Sequence, residues 1–413
     1  MLLYLPAFLI AFGISVGTIL LFVLIPYFTQ SAGAGKRSET RHAGKEHLSR
    51  LGGIGLIFGF GLAVLLDPHL VLTKEILGLL VCSLLILLFG LWDDFREQDW
   101  QIQLFFQISL CIIIFLFGVK ILSVTNPLGG AWSLEAPMLL LPGFLILSAW
   151  ILLVLNAVNW LDGLDGLLGG VSLFAFFSIF VLSLKPFVNQ PPIAILAAAG
   201  LGSVLGFLIF NFHPAKILAG TSGALFLGFL VAVLAVLSGT KIATALLVLA
   251  LPIADSLFVI WKRFRARASV FLPDTRHLHY RLRDLGWSET RIALFFYTAT
   301  AAISLIALHT MLLGKLAAIL IVLGSVFAFL SYVEWENGYC QVVCINTGEL
   351  SCFLASDFFL SALLLLSLFL AAPPEKLIVG HEAFTLETAR TPEERMRGLS
   401  GRDSLCPTCA MLF

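Results

Sequence analysis

Between Asn156 and Gly170 the chain reads NAVNWLDGLDGLLGG, with two carboxylates, two amides and four glycines in fifteen residues. Apolar runs flank it on both sides, Met138 to Leu155 and Leu167 to Leu184. Ionisable side chains set this tightly within membrane-grade sequence are costly, which marks the stretch as a candidate functional site. Asn156, Asn159, Asp162 and Asp165 recur at every third residue. On a regular helix each such step falls back by about 60°, so the first and last face opposite ways. Convergence requires a 3₁₀ turn or a break, and Gly163 and Gly166 permit either. A polar loop with helix caps is the plain alternative.

Three further groups could join it. Asp93 and Asp94 close an apolar run that continues as DDFREQDW. With Asp162 and Asp165 they could hold Mg²⁺ through a few carboxylates and leave places for a substrate phosphate. The ion would neutralise and polarise a transferring phosphoryl group; a solvated helix flank is the alternative. Lys36, Arg37, Arg41, Lys45 and Arg50, and the run from Lys262 to Arg283, supply anion-binding charge, suited to phosphate or to anionic lipid heads. His277 and His279 lie between Arg276 and Arg281. A metal pair, a phosphate clamp and a surface loop all fit that spacing. GTSGALFLG, residues 220–228, opens an apolar run with small residues; such helix starts bind phosphate, and tight packing explains them equally.

The elements that must position these groups are membrane spans. The chain is 59% hydrophobic and 12% charged, with a mean hydropathy of +1.01, outside the range of soluble domains. A span needs about 20 apolar residues. This predicts an all-α polytopic membrane protein of about twelve spans, near 3–27, 51–66, 76–92, 104–122, 138–156, 166–184, 193–210, 222–238, 242–261, 291–313, 315–333 and 351–372. The first run is too long, and lacks the basic start, of a cleaved signal. The seven cysteines are scattered and give no disulfide framework. Fifteen of the twenty Lys and Arg before position 373 fall in or beside one set of alternate loops; the other set holds Lys74, Lys120, Lys185, Lys241 and Lys315. The basic set is expected to be cytoplasmic, and it carries every polar group above. Four motifs on one face imply one shared site. A transporter would place its polar groups along span interiors, which apart from Asp255 and Asp357 carry almost no charge.

In their order these motifs resemble the polyprenyl-phosphate N-acetylhexosamine-1-phosphate transferases, nearest the branch that uses N-acetylglucosamine-1-phosphate. The matching stretches are RLGG (50–53), GLWDDF (90–95), Gln107, NPLGG (126–130), NAVNWLDGLDGL (156–167), NFHPAK (211–216), GTSGALFLGF (220–229), PIAD (252–255) and DTRHLHYRL (274–282). The resemblance implies transfer of a sugar-1-phosphate from a UDP-N-acetylhexosamine to polyprenyl phosphate with release of UMP, an early membrane step of cell-envelope polysaccharide synthesis. It implies Mg²⁺, with Mn²⁺ as a substitute, contact with membrane lipids, room for a homodimer, and no nucleic acid. Asp93, Asp94 and Asp165 are the catalytic set it suggests. Asn159, Asp162, Asn211, Arg276, His277, His279, Lys45 and Arg50 would bind substrate, and metal ligands are expected among Asp93, Asp94, Asp162 and Asp165. The chain departs from the family at Thr221, where the pattern has a metal-binding Asp, at Tyr280, where it has His, and in RHAGKEHLSRLGG, which lacks the usual proline. Thr221 keeps a second reading open: a non-catalytic relative that binds lipid phosphate or nucleotide.

The expected organisation is a transferase core at 1–333, a cytoplasmic loop and extra span at 334–372, and an exported tail at 373–413. ETARTPEERMRGLSGRDSL followed by MLF is similar to the start of a small exported β-rich family, cut off at Phe413. Cys340, Cys344 and Cys352 are expected as free thiols. Cys406 and Cys409 form a lone C-x-x-C, which carries little weight.

Overall fold

A computed structural model describes residues 3–24, 48–125, 131–134, 136–186, 188–238, 242–267, 269, 276–310 and 312–347, together with strands at 376–379, 382–388 and 409–412. Lys36 to Lys45, the 126–130 and 274–275 motif residues, the expected twelfth span and Cys352 and Cys406 lie outside them, as do the side chains of Cys340, Cys344 and Cys409. The chain forms two compact units, residues 1–367 and 368–413.

The first unit is a helical bundle: α1 Leu5–Leu24, α2 Gly52–Leu66, α3 Lys74–Phe95, α4 Trp100–Leu116, α5 Leu140–Asn159, α6 Leu167–Ser183, α7 Pro191–Asn211, α8 Gly220–Leu237, α9 Ile242–Val248, α10 Ala250–Arg265, α11 Leu278–Asp284, α12 Glu289–His309 and α13 Leu312–Thr347. A short antiparallel pair, β1 Ser123–Thr125 and β2 Ala131–Ser133, joins α4 to α5. By length and composition α1, α3, α5, α7, α8 and α12 can each cross a membrane. The α9–α10 pair counts as one broken span, and α2, α4, α6 and residues 317–333 of α13 are shorter apolar helices. This is a polytopic helical membrane protein, as the apolar runs predict.

Two boundaries differ from expectation. The ninth run breaks at Leu249 into helices 78° apart. Pro252 has no N–H to give the Val248 carbonyl, so one continuous helix is unavailable, whereas the first turn of a new helix tolerates proline. The eleventh run continues as helix to Thr347, past the expected loop start at 334; no proline interrupts it.

The bundle is built around α8, which is apolar on all sides and 94% buried. Between helices in lipid the hydrophobic drive is weak, and close approach of small residues takes its place. Gly90 of α3 meets Ser222 of α8 so closely that a Cβ there would lie 2.3 Å from the Ser222 Cα. Gly53 of α2 meets Gly223, and Leu155 of α5 meets Gly228. Phe60 and Phe226, both fully buried, pack edge to face at 5.6 Å. By contrast α1 is only 22% buried.

The second unit holds a three-stranded sheet: β3 Lys376–Val379 pairs antiparallel with β4 Glu382–Thr388, and β4 pairs parallel with β5 Cys409–Leu412.

Candidate active site

Hydrogen bonds join the C-terminal end of α3 to the N-terminal ends of α4 and α8, and the turn between α5 and α6 to the C-terminal end of α7 and the N-terminal end of α12. The polar motifs lie at these ends.

The close packing of Gly90 on Ser222 brings the next turn of α3, Asp93 and Asp94, to the start of α8. Gly220 enters that helix at φ +68°, a conformation that favours glycine; a Cβ there would sit 2.5 Å from Asp94 Oδ2. The Thr221 N–H donates to Asp94 Oδ1 at 3.0 Å, and the Thr221 hydroxyl donates to Asp93 Oδ2 at 2.6 Å. Asp93 Oδ1 accepts from the Gln98 N–H at 3.0 Å and from Gln103 Nε2 at 3.1 Å. Both aspartates are buried. The start of α8 is therefore tightly packed and capped by the chain's own carboxylate, rather than open as a phosphate cradle. The RLGG motif serves the same junction: the N–H groups of Gly52 and Gly53, orphaned at the start of α2, donate to the carbonyls of Leu218 and Ala219 at 3.0 and 2.9 Å. Arg50 is buried beside it, its carbonyl oxygen against Gly220.

The Asn156–Gly170 stretch both tightens and breaks. After Asn159 the Leu161 and Asp162 N–H groups reach back three residues, to Val158 and Asn159. Gly166, at φ +75°, then starts α6. The four polar residues diverge instead of converging. Asn156 and Gln107 exchange side-chain hydrogen bonds, which ties α5 to α4. Asn159 and Asp162 sit half-buried at the turn. Asp165 is buried, and its Oδ2 meets His213 Nδ1 at 2.9 Å and accepts from the Ala215 N–H at 3.0 Å. Glu289 Oε2 accepts from the Asp165 N–H at 3.3 Å. Asn211 accepts from the Gly166 N–H and donates to the Ile217 carbonyl, so it holds the turn in place.

The imidazole segment closes on this turn. The Trp160 ring lies 4.8 Å from that of His277, and the His277 and His279 rings are parallel, 5.9 Å apart. Gly163 is in contact with the same segment: a Cβ there would stand 2.5 Å from the Tyr280 hydroxyl and 2.8 Å from His279 Nε2. His277 and His279 are buried, whereas Arg276 is exposed.

Among the described residues, two donor sets could hold a cation. Asp93, Asp94 and the Thr221 hydroxyl form an all-oxygen set of the kind Mg²⁺ takes. Asp165, His213 and Glu289 place ligand atoms within 4.8 Å of one another, and their mixed nitrogen and oxygen donors suit transition metals better. Sequence reasoning missed His213, Glu289 and Gln103 as members of the site. Glu289 reads as an ordinary first-turn acid of α12. Asp255 is visible as a lone acid in an apolar run, but its partner is not.

The bundle collects carboxylates, amides and imidazoles around the α5–α6 turn and the α3–α8 junction. Residues 76–239 match the family described as glycosyl transferase family 4. The match and the relatives below support a sugar-phosphate transferase. It is 28% identical over 295 residues to the probable undecaprenyl-phosphate N-acetylglucosaminyl 1-phosphate transferase of Bacillus subtilis (strain 168), covering 70% of this chain and 80% of that protein. With the decaprenyl-phosphate N-acetylglucosaminephosphotransferase of Mycobacterium leprae (strain TN) it shares 29% over 307 residues, 67% of this chain and 77% of that one. The phospho-N-acetylmuramoyl-pentapeptide-transferase of Helicobacter hepaticus (strain ATCC 51449 / 3B1) is 29% identical over 342 residues, 73% of this chain and 92% of that protein.

Proposed function

We propose that the protein transfers N-acetylglucosamine-1-phosphate from UDP-N-acetylglucosamine to polyprenyl phosphate and releases UMP. A lipid-phosphate oxygen bonds to the sugar-bearing phosphorus; the bond from that phosphorus to the bridging oxygen breaks, and UMP leaves with the electron pair. The observation that carries this reading is the Asn156–Gly170 turn. It touches the imidazole segment through Trp160 and Gly163 and the α7–α8 connection through Asp165 and Gly166. Catalysis of this type rests on positioning and on neutralising charge. Asn159 and Asp162, half-buried at the turn, contact the nucleotide; Asn211 and Asp165 keep the turn rigid; Arg276, His277 and His279 meet the phosphates.

Mg²⁺ fits Asp93, Asp94 and Thr221 by the chemistry of their oxygens, with Mn²⁺ as a substitute. When bound there it neutralises charge on the phosphates in transfer. The site faces the cytoplasm of a bacterial inner membrane, a reading supported by the fifteen-to-five bias of Lys and Arg; the 373–413 segment is external by the same count. Purified protein is incubated with UDP-sugars and polyprenyl phosphate, with and without Mg²⁺. UMP release with the N-acetylglucosamine donor is expected, and none with any N-acetylhexosamine donor overturns the proposal.

A second reading, a binding protein without turnover, is favoured only by the Thr221–Asp93 hydrogen bond, which satisfies Asp93 without a cation. Activity in the unaltered chain rejects it.

A further inference from the structure

Asp255 has no part in the reaction as described, yet it is a buried acid in the first half of α10. A carboxylate in such a place is tolerated when its oxygens are occupied by well-placed donors. Both are. Asp255 Oδ2 lies 2.9 Å from His277 Nδ1, and Oδ1 accepts from the Leu278 N–H at 2.9 Å. That N–H is the first orphan donor of α11, whose preceding residue, His277, offers no side-chain cap. One carboxylate therefore holds the imidazole and the backbone that carries it.

This has a consequence for the proton on His277. An ionised carboxylate only accepts hydrogen bonds, so Nδ1 carries a proton in the neutral ring and in the cation alike. Gain and loss of a proton are then confined to Nε2. Turning the ring over would break the Nδ1–Asp255 hydrogen bond, and the Trp160 and His279 rings pack beside it. We propose that Asp255 is a positioning residue that fixes the His277 tautomer and reserves Nε2 for the phosphates of the nucleotide-sugar donor. This rests on the reading of the site given above.

Asparagine at 255 is the informative replacement. It has the same shape but one acceptor oxygen, so it cannot serve both His277 Nδ1–H and Leu278 N–H. If its amide N–H₂ faces the ring, Nδ1 must become the acceptor and the proton moves to Nε2. Loss of such an orienting partner, with geometry otherwise kept, lowers turnover by roughly 10²-fold or more.

The test uses the full-length protein in detergent, labelled with ¹⁵N-histidine, as wild type, Asp255→Asn, His277→Ala and the double variant. The ring signal absent from His277→Ala is expected to show protonated Nδ1 in wild type and to change on Asp255→Asn. UMP release is expected to fall by roughly 10²-fold in Asp255→Asn, with no further loss when that change is added to His277→Ala. Losses that multiply, activity within about twofold of wild type, or a neutral wild-type ring protonated on Nε2 overturns the proposal. Should Asp255→Asn fail to fold, the wild-type ring signal decides alone. Absence of UMP release from wild type would instead sink the transferase reading, and the ring signal would still decide the Asp255–His277 pairing.

Discussion

The Thr221 hydroxyl lies 2.6 Å from Asp93 Oδ2 and donates a hydrogen bond to it. A third carboxylate at this point would face two others that are already buried. The chain instead supplies a donor, and Asp93 is satisfied by Thr221, Gln98 and Gln103 together.

Replacing that donor has a predictable cost. Thr221→Val keeps the shape and removes one hydrogen bond to a buried charge, a loss of about 1.5–3 kcal/mol. Thr221→Asp goes further, because like charges this close repel unless a cation joins them. Thermal unfolding in detergent is expected to become Mg²⁺-dependent in Thr221→Asp, with EDTA lowering its midpoint well below that of wild type. Equal midpoints with EDTA and with Mg²⁺ would contradict this.

Gly90 sets the distance between α3 and α8. In Gly90→Ala a methyl would overlap the Ser222 backbone, where nothing can swing aside. The helices must separate, and Asp94 moves off the Thr221 N–H. We expect at least a tenfold loss of UMP release together with a lower unfolding midpoint, both read on one preparation. Gly61→Ala, whose Cβ meets only the far end of Leu80 at 4.0 Å, serves as the control and should leave both unchanged.

Gln107 and Asn156 bond to each other through both amides, so each change alone removes the donor to the partner's amide oxygen, although Asn156 keeps its hydrogen bond to the Leu152 carbonyl. A double-mutant cycle of Gln107→Leu and Asn156→Leu is expected to show coupling near the membrane-protein average of about 0.6 kcal/mol. Additive unfolding free energies would show the pair to be uncoupled.

Gly163→Ala drives a methyl into the Tyr280 hydroxyl and His279 Nε2. The turn that carries Asp162 then shifts, and the KM for the nucleotide-sugar donor should rise several-fold. Tyr280→Phe removes the nearer of the two obstacles. Added to Gly163→Ala it should restore part of the lost affinity, and absence of any rescue would place the strain elsewhere.

Much of this architecture was legible in the apolar runs, because spans are set by length and hydropathy alone. The bend at Leu249 was less visible, although Pro252 is its cause. Site contacts were legible only where a motif is local. The turn at Gly163 and Gly166 could be anticipated from its glycines. Asp165 with His213, and Asp255 with His277, join residues 48 and 22 positions apart, and no periodicity reports such a pair. The three-residue spacing of Asn156, Asn159, Asp162 and Asp165 suggested one converging set. In the fold it distributes them: Asn156 faces Gln107 of α4, and Asp165 faces the α7–α8 connection.

The burial of α8 also sorts the molecule by mutational tolerance. Every face of that helix answers to a different neighbour, so a change suited to one contact is constrained by the others. On α1 only 22% is buried, so the positions away from its contacts with α2 and α7 should accept any side chain of similar polarity. A saturation library would thus trace a gradient from an intolerant axle to a permissive rim. Sequence variation among active variants would recover the position of α8 without any coordinates.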